Sequence, residues 1–184
     1  MKKFILFLFA MVALQANAQF TYSVKAGWSL PSVLNDETVG HESSLTLGAS
    51  VDYAINNYLG LQSGVNYKRI HYAKHYTSNI EEAGKKIMDK ADYVEIPFLF
   101  TASAILSPQR WRAIWNAGMF VDMPIGSNNN SQTYYGLMAA VQIEVLSHYF
   151  LRGEHQWALS SDKKGEWSKN RRTNMLSVSL GYRF

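Results

Sequence analysis

At 184 residues and with no cysteine, the chain has the material for one compact domain and none for a disulfide framework. Its 18 basic residues, two of them (Lys2 and Lys3) at the extreme start, face 14 acidic ones; that balance, with no basic stripe, excludes a nucleic-acid partner. A mean hydropathy of −0.16 excludes a bundle of membrane-spanning helices, though not a barrel, in which only alternate residues need be apolar.

Lys2 and Lys3 precede an apolar run from Phe4 to Leu14, followed by Ala16-Asn17-Ala18. A positive start, an apolar stretch of secretory length and an A-x-A site predict a cleaved signal peptide over residues 1–18, leaving a single domain over 19–184. The run is shorter than the about 20 residues a helix needs to cross a bilayer.

From Phe20 onward the chain alternates with period two, as a strand does when successive side chains point to opposite faces. The first segment sets Phe20, Tyr22, Val24, Ala26, Trp28 and Leu30 against Thr21, Ser23, Lys25, Gly27 and Ser29. The same alternation recurs over 45–55, 59–68, 93–100, 113–122, 135–145 and, more raggedly, 149–159. The last segment sets Asn174, Leu176, Val178, Leu180, Tyr182 and Phe184 against Met175, Ser177, Ser179, Gly181 and Arg183. Charges distinguish the two faces. Lys25, Asp52, Lys68, Glu95, Asp122, Glu144, Arg152, Glu154 and Arg183 all fall on the polar parity, and no charge falls on the apolar one. A lipid-facing Arg or Lys at mid-bilayer costs about 2–4 kcal/mol, so its exclusion from that face is expected. A soluble sandwich would instead turn its apolar face inward and its charges to water. The export signal, the glycine-rich polar face and the aromatic last strand favour lipid on the outside.

Short and long connections alternate. Asn56-Asn57-Tyr58 and Leu146-Ser147-His148 are tight turns, and a moderate stretch holds Ser107-Pro108; residues 31–44, 69–92, 123–134 and 160–172 are long. The reading is all-β: an eight-stranded antiparallel up-and-down transmembrane barrel in the outer membrane of a Gram-negative bacterium. Its short turns and both termini are periplasmic, and its long loops extracellular. Phe20, Tyr22, Tyr53, Tyr58, Phe100, Tyr149, Tyr182 and Phe184 then form a periplasmic girdle, with Trp28, Tyr67, Tyr135 and Trp157 at the outer rim. Leu180, Tyr182 and Phe184 are the candidate signal for the barrel-assembly machinery.

Val24-Lys25-Ala26-Gly27, the stretch from Tyr58 to Tyr67 and Tyr93-Val94-Glu95-Ile96-Pro97 resemble the PorT-like outer-membrane β-barrel family of Bacteroidota. The resemblance covers nearly all of the mature chain and implies fold and location. It does not carry over the secretion role of PorT itself, because the seventh strand is more polar than usual and the chain is shorter.

An eight-stranded barrel is just wide enough for side chains to fill, so the inward charges read as a salt-bridged plug. A gated ion path, or a polar ligand held by Arg152 and Glu154, would need that plug to rearrange. Pro97 cannot donate to a ladder and predicts a bulge. His71 and His75 share a face if Ile70–Tyr76 is a strand running beyond the membrane, but stand too far apart for one metal ion, and His41 in the first long loop does not change this. His155, with Ser160 or Ser161 and Glu154, supplies the atoms of a lipid- or lipopolysaccharide-modifying hydrolase without a spacing that makes them converge. Residues 79–90 hold a candidate short helix around Ile80, Ala83, Ile87 and Met88. The leading expectation is a non-enzymatic barrel without cofactor or metal. It contacts membrane lipid through its wall and an envelope or cell-surface partner through residues 69–92 and 160–172. A narrow channel or a PorT-type secretion accessory is the other alternative.

Overall fold

Alternating strands that must hide every backbone N–H and C=O from hydrocarbon have one solution, a sheet closed on itself with no open edge. The computed structural model describes residues 19–34, 39–41, 44–74, 87–107, 111–125, 133–160 and 172–184. The proposed signal segment lies outside the described residues. The strands are β1 (Phe20–Leu34), β2 (Val39–His41), β3 (Ser44–Ala54), β4 (Leu59–Lys74), β5 (Ile87–Ser107), β6 (Trp111–Ile125), β7 (Tyr134–Val145), β8 (Tyr149–Ala158) and β9 (Arg172–Arg183). Each long strand pairs antiparallel with the next, and β1 also pairs with β9, which closes a ring of eight. The three-residue β2 lies outside the ring, paired with the far end of β4.

The register fixes the tilt. Partners followed once around the ring run Thr21, Asp52, Gln62, Leu99, Gly118, Met138, Gln156, Met175 and back to β1 at Pro31, ten residues beyond the start. With a rise of ~3.3 Å per residue and strands ~4.8 Å apart, that stagger tilts the strands by about 40°. The stretch from Phe20 to Leu30 then climbs roughly 25 Å along the axis, the height of an outer-membrane apolar band.

The expected faces hold. Val24, Trp28, Leu47, Leu61, Val65, Val141, Leu176, Val178 and Leu180 are exposed on the outer wall, while the charged parity is turned inward and buried. Several boundaries differ from expectation. β1 continues to Leu34, and β4 and β5 continue past Lys68 and before Tyr93, with Lys74 opposite Ile87 and Ala73 opposite Met88. Ile87 and Met88 are therefore strand, not helix, because cross-strand pairing overrides a weak helical pattern; residues 79–86 lie outside the described residues. His71 lies in strand, as its alternation suggested, and His41 lies in β2 rather than in a loop.

Pro97 produces no bulge. Ser63 pairs with Phe98 and Asn66 with Glu95, so the register is the same on both sides, and only the pairings of Gly64 and Val65 drop out. The Ser103 amide donates to the Tyr58 carbonyl, and stepping six residues along places Gly64 and Pro97 at a hydrogen-bonding site, where proline has no N–H to give. The neighbouring rows hold the strands in step. The shift in β5 occurs instead between Ile105 and Ser107.

Two turns carry different strain. Asn56 Oδ1 accepts from the amides of Tyr58 and Leu59 (both 2.8 Å), an Asx turn that costs little. Leu146 and Ser147 have φ of 55° and 62°, and the His148 amide donates to the Val145 carbonyl at 3.3 Å. This is the left-handed hairpin geometry that favours Asn-Gly. We expect Leu146→Asn with Ser147→Gly to stabilise the barrel by about 1–2 kcal/mol, read as a higher urea midpoint.

Candidate functional site

The lumen carries the chemistry. At the end away from the short turns, Lys68 is wholly buried and donates to Glu95, to Gln156 Oε1 (2.8 Å) and to Asp122 Oδ1 (3.5 Å). Asn66 donates to the other oxygen of Glu95. Gln156 passes the chain on, its Nε2 donating to Glu95 (2.8 Å) and to Glu154 (2.9 Å). Glu154 is the hub: Lys25 Nζ and Arg152 Nε both lie 3.1 Å from its Oε2. Arg152 then donates to Gln62 Oε1 and Gln62 to Asp52 Oδ1, each at 2.8 Å. Arg183 ends the ladder, 3.2 Å from Asp52 and 2.5 Å from Glu144. All nine inward charges expected from the sequence are thereby joined in one network of hydrogen bonds and ion pairs along the axis.

Local sequence makes room for it. A Cβ on Gly48 would strike the Asn66 amide and lie 2.9 Å from Lys25 Cε, so glycine there lets both side chains enter the network. Leu99, Phe120 and Met138 form a buried apolar wedge on one side of the lumen, with Lys68 Nζ 5.4 Å from the Phe120 ring. Above the ladder, Tyr93 packs on Met175 and Tyr134, its ring 5.8 Å from that of Tyr134. The cavity left beside Lys25, Gln62 and Arg152 measures about 10 Å³, no more than one water can fill.

One residue of this site was missed in the sequence. Arg112, on the same parity as Asp122, points inward at the short-turn end and donates to Ser103 Oγ (2.9 Å), within electrostatic reach of Arg183, Glu144 and Asp52. With Arg112 included, the inward cations and carboxylates of the described residues are equal in number. A buried ion costs several kcal/mol unless compensated, so this balance suits a lumen filled with charged side chains.

The outer wall has its own boundary markers. Arg69 makes two hydrogen bonds to Asp92 (2.8 and 3.2 Å), and Tyr67 donates to the same carboxylate (2.8 Å). This exposed outward pair marks the top of the apolar belt. Above the belt, the hydrogen bonds and charge of Asp92 push the Arg69 pKa up. At the opposite end, Phe20 packs on Tyr53 (5.1 Å between rings), and Tyr182 packs on Tyr149 (5.4 Å) and Phe184 (5.2 Å). Leu180 and Phe184 are exposed on the outer wall, and the Phe184 amide closes onto the Tyr22 carbonyl (2.9 Å).

The hydrolase set does not assemble. Glu154 faces the lumen inside the ladder, whereas His155 faces outward with its ring 4.5 Å from that of Trp157. Ser160 Oγ accepts from the Tyr135 amide at 3.0 Å, and Ser161 lies outside the described residues. Adjacent strand residues point to opposite faces, which is the physical reason. Among the described residues no three His, Asp or Glu side chains group as metal ligands; His75 is not among them.

A closed, tilted, antiparallel ring with a charged, filled interior and an apolar outer wall defines an outer-membrane β-barrel protein. The family model described as "Outer membrane protein beta-barrel domain" matches residues 13–183, and the chain belongs to that family. In fold it is similar to the outer membrane protein OprG from Pseudomonas aeruginosa, with 10% identity over 90% of this chain and 96% of that one and a TM-score of 0.54. Neisserial surface protein A shares 17% identity over 90% and 97% of the two chains, with a TM-score of 0.48. For Ail, the attachment invasion locus protein of Yersinia pestis, the values are 11%, 90%, 99% and 0.46. No curated protein matches the sequence.

Proposed function

We propose that this protein is a non-conducting, non-enzymatic anchor in the outer membrane, holding its long loops outside the cell for contact with an envelope or cell-surface partner. The observation that carries this reading is the unbroken ladder from Asp122 to Glu144 under the Tyr93–Met175 contact. An ion path would have to break several buried pairs, each costly to separate. In this orientation the short turns, the aromatic girdle and both chain ends face the periplasm, which the alternation of connection lengths supports. Past the Arg69–Asp92 pair, β4 continues to Lys74, and five further residues at a 40° tilt project roughly 12 Å beyond the belt. That projection, with residues 69–92 and 160–172, is the surface for a partner. Leu180, Tyr182 and Phe184 serve as the signal read during insertion, after loss of residues 1–18.

Planar-bilayer recordings test the reading: the purified protein is expected to give a flat baseline, and reproducible conductance steps would overturn it. The orientation has its own check on whole cells. An epitope inserted within residues 75–86 is expected to bind antibody without permeabilisation, and one placed after Phe184 only with it.

A further inference from the structure

The outer wall is not uniformly convex. The row Val51, Ser63, Phe98 crosses β3, β4 and β5 next to the row Tyr53, Leu61, Phe100. Ser63 is the small member among these bulky outward residues, and its hydroxyl bends back to donate to the Pro97 carbonyl (2.9 Å). The result is a groove of about 330 Å³ with Ser63 on its floor. Phe20 and Tyr53 form one wall; Phe98 and Phe100, 58% and 71% exposed, form the other. It lies in the half of the belt nearer the chain ends, beside the stretch where the β4–β5 ladder lacks the Pro97 donor.

The groove opens onto the hydrocarbon and is continuous with the lipid-facing wall, so its occupant is apolar. At about 330 Å³ the groove is far larger than one ring or methyl group needs, a space better filled by a flexible chain. Phe20 and Tyr53 sit at the interfacial end, where amphipathic rings prefer to lie and where a headgroup would remain in the polar layer. We propose that this groove is a lipid site, holding one acyl chain of a membrane lipid from the leaflet at the terminus end more firmly than the surrounding lipid is held.

Native mass spectrometry of the full mature barrel, released from membranes in mild detergent, tests the assignment. The wild-type protein is expected to retain a single lipid through delipidating washes. Ser63→Phe fills the floor and should lower the retained fraction by about tenfold, the effect of withholding roughly two methylenes from an apolar site. Gly153→Phe is the control, since nothing lies within 4 Å of a Cβ at that outward position, and it should retain lipid like the wild type. Heat-modified gel mobility reports folding; if Ser63→Phe does not fold, Val51→Phe narrows the same row from β3. Equal retention in the filled variant and the wild type, or none in the wild type, overturns the proposal. With the five native tryptophans (Trp28, Trp111, Trp115, Trp157 and Trp167) replaced by Phe, a Phe98→Trp reporter adds an independent readout with a phospholipid brominated on its acyl chains. Quenching should saturate at low lipid ratio, whereas quenching that only follows the bulk lipid fraction would mean annular lipid alone and overturn it.

Discussion

Replacing Glu154 with glutamine is expected to destabilise the folded barrel by about 3–5 kcal/mol, measured as a lowered urea midpoint in lipid vesicles. The carboxylate is the shared counter-ion of Lys25 and Arg152, each 3.1 Å away, and it also accepts from Gln156. Glutamine keeps the volume and loses the charge, so two buried cations would be left facing each other. The cost arises from the uncompensated ions rather than from the lost attraction, which gives the experiment a second arm. Adding Lys25→Met to Glu154→Gln removes one of the stranded cations and should recover a substantial part of the loss, a coupling visible in a double-mutant cycle. An additive double variant would mean the ladder is not the electrostatic unit described above.

Val141→Arg should cost about 2–4 kcal/mol, and Trp157→Arg on the adjacent strand about 0–1 kcal/mol, apart from lost packing. Both side chains are exposed on the outer wall, 48% and 42%, so burial within the protein does not distinguish them. Depth does. Following the register, Val141 lies near the middle of the belt and Trp157 near its loop end, where Arg can reach the headgroups. In a protein whose outer wall met water, both substitutions would be nearly neutral. The gradient between the two sites is therefore the informative quantity, and refolding into vesicles of defined thickness measures it.

The faces were legible in the sequence because a period of two is local: nothing beyond neighbouring residues is needed to see that Lys25, Asp52 and Arg183 each fall on the polar face of their own strand. The turns at Asn56 and Leu146 were legible from composition and spacing. Register was not, and it is register that brings Lys25 to Glu154 across 129 positions of sequence. Arg112 lies just before the point, Ala113, at which the alternation becomes visible, although its even number matches Asp122. The Arg69–Asp92 pair likewise lies where strands run on beyond the apolar pattern. β2 is too short, at three residues, to leave a periodic trace. Pro97 announced a missing donor, but whether the chain answers with a bulge or a silent gap depends on how firmly the rows on either side are held. The inward Leu99, Phe120 and Met138 were visible on the polar parity, yet only the closed ring shows that a lumen this narrow needs apolar bulk beside its charges.

The most direct test uses the absence of cysteine, which makes any introduced thiol the only one in the chain. Nitroxides placed singly at Leu176, Ser177, Val178, Ser179 and Leu180 in vesicle-reconstituted protein report collisions with dissolved oxygen and with a water-soluble nickel complex. Positions 176, 178 and 180 should be rich in oxygen contact and shielded from nickel, with 177 and 179 poor in both. Nickel contact at 178 and 180 as high as at a solvent-exposed site would contradict a hydrocarbon-facing wall.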